Sequence, residues 1–295
     1  MRIFKNLSQK EKQQILQDKK DNPFTTVTQL SEKYKIHKDS ISIWLRKNHC
    51  TTKELTGIRN RKYNVNDNYF EHINSYNKAY LLGVFYSDGY LVTEGITKRI
   101  GLDVKDTEWL QSIGKELESE APLYKTAKEQ LKRLKITSPK MYEDLKKLGC
   151  VENKTFLLKF PTVEQVPKEF QLAFILGLWD GDGSIVICTP RKSTHQPSFK
   201  IDLTGTKELL EGVQRVLNLS HIKLYQRFPE RNRNNWTLSV HGVNNVAQVL
   251  NKIYKDAPTF CLKRKHEKFQ TIMNDSRIKS KDLMLHPANL DCNKV

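Results

Sequence analysis

The chain has 295 residues, of which 38% are hydrophobic and 28% charged, so it can bury the cores of about two domains and is not disordered throughout. Lysine and arginine outnumber aspartate and glutamate by 50 to 33, and a formal charge of +17 indicates a polyanionic partner. Five scattered cysteines without CxxC spacing exclude a disulfide framework and a zinc site. With no apolar run near the ~20 residues that span a bilayer, the sequence predicts a soluble cytoplasmic (or organellar matrix) protein without a membrane partner.

The first elements along the chain are three short helices within residues 1–49. Ser8 and Glu11 form a capping-box pattern that begins a helix running to about Lys19. The segment "TVTQLSEKYKI" predicts the second helix, and a turn then leads to Asp39 as the N-cap of the third. Helix, turn and helix in this order predict a helix-turn-helix domain, whose last helix enters the major groove of DNA. Its exposed side would carry Lys38, Ser40, Ser42, Ile43 and Arg46.

The charge of this region favours DNA as its partner. Residues 1–66 hold 15 basic and six acidic side chains. The alternative is a small helical bundle that binds another protein or nothing. Residues 50–68 are basic and lack an apolar period, which predicts a linker, and residues 276–295 predict a loosely held C-terminal tail.

Between linker and tail, the chain repeats itself. "AYLLGVFYSDGYL" at 79–91 returns as "AFILGLWDGDGSI" at 173–185, and alternating strands follow each copy in "RIGLDVK" and "FKIDLT". Further strands are predicted at 123–127, 131–137, 223–228 and 236–241, and another helix follows each pair. The predicted fold is therefore α+β: an αββαββα unit present twice, over 69–160 and 161–275, with antiparallel sheets covered on one side only.

Each copy of the motif predicts a helix with a stripe of small residues. Gly83 and Ser87 are four residues apart, as are Gly177 and Gly181, so each pair lies on one helical face. Small residues let two helix backbones approach closely. We expect the two motif helices to pack together as the seam between the halves.

An aspartate follows each stripe, and its position predicts a cation site. Asp88 and Asp182 stand at the negative ends of the two helix dipoles, each before a glycine suited to a helix stop. If the helices are parallel neighbours, the carboxylates also repel each other, and a hard divalent cation with oxygen ligands would neutralise both. The alternative is that Asp-Gly simply ends each helix in a turn.

At these residues the sequence resembles the LAGLIDADG homing endonucleases, specifically the monomeric type with two motifs in one chain. The resemblance covers about residues 69–275 and excludes the N-terminal helices. The second motif matches closely, whereas the first has Tyr86 and Ser87 where an acid and a small residue are usual.

The resemblance implies a monomeric, site-specific endonuclease for double-stranded DNA, with the two sheets forming a pseudo-twofold saddle over the duplex. It implies Mg²⁺ (or Mn²⁺) held by Asp88 and Asp182, in a metal site that includes Gly89 and Gly181. It also implies a basic residue near each centre, namely Lys154 in the first half and Lys263 or Lys265 in the second. These lysines would stabilise charge or orient water.

The uncovered sheet faces and one hairpin carry the predicted DNA contacts. The sheet residues are Arg99, Asp103, Lys105, Lys200, Asp202 and Thr204, and the hairpin residues are Arg227, Arg231 and Arg233. Because the halves differ in sequence, the target need not be palindromic.

Two other functions fit a chain of this kind. One is an intron-encoded RNA maturase, which keeps both acids without cutting DNA. The other is a non-cleaving helix-turn-helix transcription regulator with a degenerate motif domain, which predicts missing acids, whereas both are present.

Overall fold

The computed structural model describes residues 3–23, 25–52, 55, 63–95, 97–127, 130–152, 154–188, 196–231 and 233–278. The buried apolar side chains form two separate clusters. A small cluster joins the N-terminal helices, and a large one extends from Tyr69 to Ile272. No helix within the described ranges is long and apolar enough to cross a membrane.

The N-terminal cluster is built by three helices: α1 (Gln9–Asp21), α2 (Val27–Tyr34) and α3 (Lys38–Lys47). The predicted capping box of Ser8 and Glu11 starts α1. Helix α3 begins earlier than predicted: His37, and not Asp39, is its N-cap, because Lys35 takes the left-handed conformation (φ 54°) and ends the turn sooner. Asp39 is instead an acid in the first turn of α3, where it complements the helix dipole.

The predicted linker, residues 50–68, packs against a hydrophobic cluster at each end. Cys50 is buried in the N-terminal cluster, and Leu55 packs against it. Val65 packs against the large cluster, and most residues between these points lie outside the described ranges. The start of the predicted tail is held as well, since Arg277 donates to the Pro197 carbonyl over 2.8 Å and Ile278 packs against the large cluster.

The two halves of the large unit repeat the predicted αββαββα order. The first comprises α4 (Tyr76–Ser87), β1 (Gly89–Glu94), β2 (Thr97–Val104), α5 (Thr107–Glu116), β3 (Tyr124–Lys125), β4 (Lys132–Thr137) and α6 (Pro139–Lys147). The second comprises α7 (Gln171–Asp182), β5 (Gly183–Cys188), β6 (Ser198–Gly205), α8 (Lys207–Leu217), β7 (Lys223–Gln226), β8 (Trp236–His241) and α9 (Val243–Tyr254). Helix α10 (Lys263–Met273) follows.

Each half contains a four-stranded antiparallel sheet, as predicted, in the order β1-β2-β4-β3 or β5-β6-β8-β7. The alternating apolar residues of β2 and β6 point into the core, where Ile100 and Ile201 are fully buried. Gly89 pairs with Leu102 as Gly183 pairs with Leu203, which aligns the two sheets residue by residue. The polar residues of both central strands therefore lie on the face away from the helices.

Helices α4 and α7 form the seam between the halves. A methyl group on Gly83 would overlap the Phe174 carbonyl, and one on Gly177 would overlap the Tyr80 carbonyl. One on Gly181 would overlap Ser87. The predicted stripes of small residues thus meet, and the backbones approach too closely for any side chain at the two central glycines.

Candidate functional site

The two motif aspartates lie at the same end of the seam. Asp88 is the C-cap of α4 and donates its N–H to the Val84 carbonyl over 2.9 Å, while Asp182 is the last residue of α7. A methyl group on Gly181 of the second half would lie 3.1 Å from Oδ2 of Asp88. The Asp88 carboxylate therefore lies against α7, the helix that ends in Asp182.

The surroundings of both carboxylates disfavour negative charge. Burial raises the pKa of Asp88 to about 6, and the charge of Asp182 adds to this effect. Burial of its carboxylate also raises the pKa of Asp182, although part of this residue is solvent-exposed. Lys154 and Lys265 act in the opposite direction on both acids. Burial is the first cause of both shifts, and the neighbouring lysines offset only part of it.

The glycines that follow the acids serve close packing and not a left-handed helix stop. Neither Gly89 nor Gly183 has a positive φ, and Gly183 is extended at φ −82° and ψ 160°. A methyl group on Gly89 would overlap Phe85, and one on Gly183 would overlap Trp179. Both motif helices end just before these glycines, as expected, but without the left-handed conformation: the chain turns from helix to strand so tightly that no β-carbon fits.

One lysine from each half reaches the end of a motif helix. Lys154, in the 3₁₀ turn Lys154–Phe156, donates from Nζ to the Phe85 carbonyl over 2.8 Å. Lys265 on α10 donates to the carbonyls of Trp179, Asp180 and Gly183 over 2.5, 2.7 and 2.6 Å. Because Phe85 and Trp179 each stand three residues before a motif acid, the two lysines occupy corresponding places.

Burial lowers the pKa of both lysines, that of Lys265 to about 8. Lys263 differs in position, since it is exposed at the first turn of α10. Of the two lysines that the sequence left open in the second half, the structure thus brings Lys265 to the carboxylates.

A third acid, Asp180, was missed as a positioning residue. It is buried, and burial raises its pKa. It accepts hydrogen bonds from Tyr80 Oη (2.7 Å), Tyr254 Oη (3.2 Å) and the backbone N–H of Leu262 (2.9 Å). Leu262 is the N-cap of α10, so this carboxylate fixes the helix that carries Lys265. An acid inside an apolar motif helix was the signal that could have revealed it.

The first half has a different buried hydrogen bond at the position that corresponds to Asp180. Tyr86 stands where the second half has Asp180, and its hydroxyl donates to the Leu148 carbonyl over 2.6 Å. Burial raises the pKa of this hydroxyl, which stays neutral. At this position the two motifs therefore differ in the buried hydrogen bond that they form.

The donor set fits a hard divalent cation. Among the described residues, no group of three or more His, Cys, Asp or Glu side chains could hold a metal, which disfavours a closed zinc-type site. Mg²⁺ typically uses one or two carboxylates and completes its shell with water and substrate phosphate oxygens. Asp88 and Asp182 match that pattern. A metal-binding role for Gly89 and Gly181 remains a prediction.

A cavity of about 280 Å³ opens beside this centre. Its lining includes Ser87, Lys154, Asp182, Thr204 and Asn235. Because Thr204 lies on the polar face of β6, the cavity connects the carboxylates with the uncovered face of the second sheet.

Several predicted DNA-contacting residues on the sheets are already paired. Asp103 accepts two hydrogen bonds from Arg133, over 2.8 and 2.6 Å, and Arg99 pairs with Glu94. Asp202 binds Lys200 over 2.9 Å and accepts from Ser239 over 2.5 Å. Both aspartates therefore organise neighbouring side chains instead of standing free for a base, a role that depends on cross-strand register.

The remaining predicted contacts lie at the rims. Lys105 is exposed just beyond β2, and Arg227 is exposed with its guanidinium 5.1 Å from the Phe228 ring centroid. Arg233 lies 6.0 Å from the ring centroid of Phe156. The side chain of Arg231 lies outside the described part of the chain.

The predicted outer side of α3 is largely accessible. Lys38 and Arg46 are exposed, Ile43 is 50% exposed, and Ser40 and Ser42 are half-buried. Arg46 donates to Ser42 Oγ over 3.1 Å. Ile41 and Leu45, on the opposite side, are buried in the N-terminal cluster.

Comparison with known proteins finds a family model that is similar to part of the repeated unit. Residues 169–254 match the family model of the LAGLIDADG-like domain. This match lies in the second half of the repeated unit, and the first half repeats the same order of elements.

Solved structures of low identity resemble the chain as well. The LAGLIDADG meganuclease I-AabMI, bound to uncleaved DNA, is 14% identical with a TM-score of 0.46, over 66% of this chain and 88% of that chain. The LAGLIDADG homing endonuclease I-LtrWI, bound to target DNA, is 15% identical with a TM-score of 0.46, over 70% and 90%. A search of curated proteins found no match. The roles of individual residues therefore rest on the contacts of this chain.

Proposed function

We propose that the protein is a site-specific endonuclease that hydrolyses both strands of double-stranded DNA. The observation that supports this most is the convergence of Asp88 and Asp182, one from each half, with a buried lysine beside each motif helix. A duplex has two strands of opposite direction, and a site built from two related halves presents one acid and one lysine to each.

The side chains at the seam suit phosphodiester hydrolysis. A bound Mg²⁺ or Mn²⁺ would supply a Lewis acid and a water of lowered pKa. Asp88 and Asp182 would hold it, and their crowding in the free protein favours its uptake. Lys265, whose pKa is about 8, would place a positive charge near the phosphate while its N–H groups hold the end of α7. Lys154, with one such bond, would stabilise charge on the phosphate or orient water in the first half.

The polar faces of the two sheets would bind the duplex. They carry cations held by partners on the same face, such as Lys200 by Asp202, and the net charge of +17 favours a phosphate backbone. Helix α3 would add a second DNA contact through Lys38 and Arg46. Since the sheets differ at aligned positions, the bound sequence would be asymmetric.

The intact acids and their adjacent lysines favour an enzyme over a non-cleaving regulator. A regulator has no use for two neighbouring buried carboxylates whose pKa values are both raised. Nothing in the described side chains specifically favours RNA over DNA.

A binding selection followed by digestion tests the proposal. The full chain with Asp182→Asn enriches sequences from a randomised duplex library, and the parent protein then digests them with Mg²⁺ or with EDTA. We expect cuts at one position in each strand, and only when Mg²⁺ is present. The control variant Asp256→Asn, changed on an exposed loop, should cut as the parent does. Enriched duplexes that stay intact would support a non-cleaving DNA-binding protein. Failure to enrich any duplex would contradict DNA binding.

A further inference from the structure

One arginine on the polar face of the first sheet is held in a fixed orientation. Arg133 on β4 stands directly opposite Asp103 on β2 in the antiparallel register. Its Nε and Nη2 atoms donate to the two oxygens of that carboxylate over 2.8 and 2.6 Å. This bidentate pairing fixes both the position and the plane of the guanidinium.

An aromatic ring supports the same guanidinium. The Cζ atom of Arg133 lies 5.9 Å from the ring centroid of Tyr90 on β1. The ring lies across Gly101, where a methyl group would overlap its Cζ and hydroxyl atoms. Burial, and then the charge of the nearby Asp103 carboxylate, raises the pKa of the Tyr90 phenol. Glycine at position 101 thus creates the space for the support.

The second sheet lacks this arrangement at the aligned positions. The register places Asp202 where the first sheet has Gly101, and Thr204 and Thr237 where it has Asp103 and Arg133. The Arg133–Asp103 pair and its supporting ring are therefore found in one half of the molecule only. This is expected of residues that recognise an asymmetric target.

The carboxylate leaves one edge of the guanidinium available. Arginine carries five N–H donors, and Asp103 takes the Nε edge. The opposite edge keeps the Nη1 pair and one Nη2 hydrogen, and the side chain of Arg133 is 40% exposed. Two parallel donors in this geometry match the O6 and N7 acceptors of guanine in the major groove. A phosphate contact carries no sequence information, so a base preference that depends on Arg133 distinguishes the two kinds of contact.

We propose that Arg133 reads one guanine in the part of the target that the first sheet contacts. Asp103 and Tyr90 act as positioning residues that hold the donor edge toward the base. This inference rests on the proposed DNA binding and names the base-reading residue of that interface. It replaces the expected direct role of Asp103 with a supporting one.

Sequence preference after selection is the decisive readout. The parent and variants, all as full chains carrying Asp182→Asn, enrich duplexes from the same randomised library. We expect a guanine at one position with the parent and with the control Lys147→Gln, which removes a charge on α6. Arg133→Gln and Arg133→Lys should lose that preference by about tenfold to a hundredfold, and Asp103→Asn should weaken it. Arg133→Lys keeps the charge, so its affinity for a duplex without that guanine should stay within about threefold of the parent.

A base analogue identifies the contact itself. Replacing that guanine by 7-deazaguanine removes the N7 acceptor, so the parent should lose affinity and Arg133→Gln should not. The inference is overturned if Arg133→Gln enriches the same guanine as the parent, or if both proteins respond equally to the analogue. A parent that enriches no sequence would instead contradict the proposed site-specific DNA binding.

Discussion

Gly83 and Gly177 face each other across the seam, where a methyl group on either would lie 3.0 Å from the Cα atom of the other. The same methyl groups would overlap backbone carbonyls, which cannot rotate away as a side chain can. We therefore expect Gly177→Ala to lower the free energy of unfolding by about 3 kcal/mol or more, measured by denaturant titration.

Gly114 on α5 is the matched control. It also lies within a helix, but a methyl group there would meet no atom within 4 Å. Gly114→Ala should leave stability unchanged or raise it by up to about 1 kcal/mol, because alanine favours the helix. Equal effects of the two substitutions would contradict the close seam.

The raised pKa of Asp88 predicts a pH-dependent cost to stability in EDTA. The pKa is about 6 in the folded protein and 3.8 ordinarily, so the folded state keeps a proton that the unfolded chain has released. Stability from this residue falls as pH rises from about 4 to 6 and stays lower above. Thermal unfolding should show Asp88→Asn to be more stable than the parent at pH 7.5 and similar at pH 4.

Mg²⁺ should reverse that difference. A cation that binds only the folded parent raises its unfolding temperature, whereas Asp88→Asn gains less. The exposed-loop variant Asp256→Asn should behave as the parent under all four conditions. An identical Mg²⁺ response of Asp88→Asn and the parent would argue against this acid as a metal ligand.

The two neighbouring lysines of α10 should differ in their effect on cleavage. Lys265 donates to three carbonyls at the end of α7, whereas Lys263 is exposed. Lys265→Met should slow cutting about a hundredfold, the order expected for loss of one charge-stabilising donor, and Lys263→Met should change it little. Strand-resolved rates, with circular dichroism to confirm folding, measure this. Equal cleavage rates for both variants would contradict a role of Lys265 in the reaction.

Helix α3 should contribute to the salt dependence of DNA binding. Each phosphate contact adds about 0.9 to the slope of log affinity against log salt. Replacing Lys38 and Arg46 by glutamine should reduce that slope by up to about 2, whereas replacing Lys146 and Lys147 on α6 should not. An unchanged slope in the first variant would mean that α3 does not touch DNA.

The repeat, the sheets and the seam were predictable because their signals are local. Alternation in β2 and β6 identified the buried faces, and the spacing of Gly83 and Ser87 identified a smooth helical side. The choice of Lys265 was not predictable, because it depends on where α10 begins after an irregular loop. The pairing of Arg133 with Asp103 depends on strand register, which residues 30 apart in sequence do not encode locally.

Strand-resolved cleavage by single aspartate variants tests the shared centre most directly. A selected duplex, labelled on one strand at a time, is incubated with the parent, Asp88→Asn or Asp182→Asn in Mg²⁺. Since one acid from each half meets at the seam, each substitution alone should abolish double-strand cutting while DNA affinity stays within about tenfold of the parent. Full double-strand cutting by either variant would contradict the account.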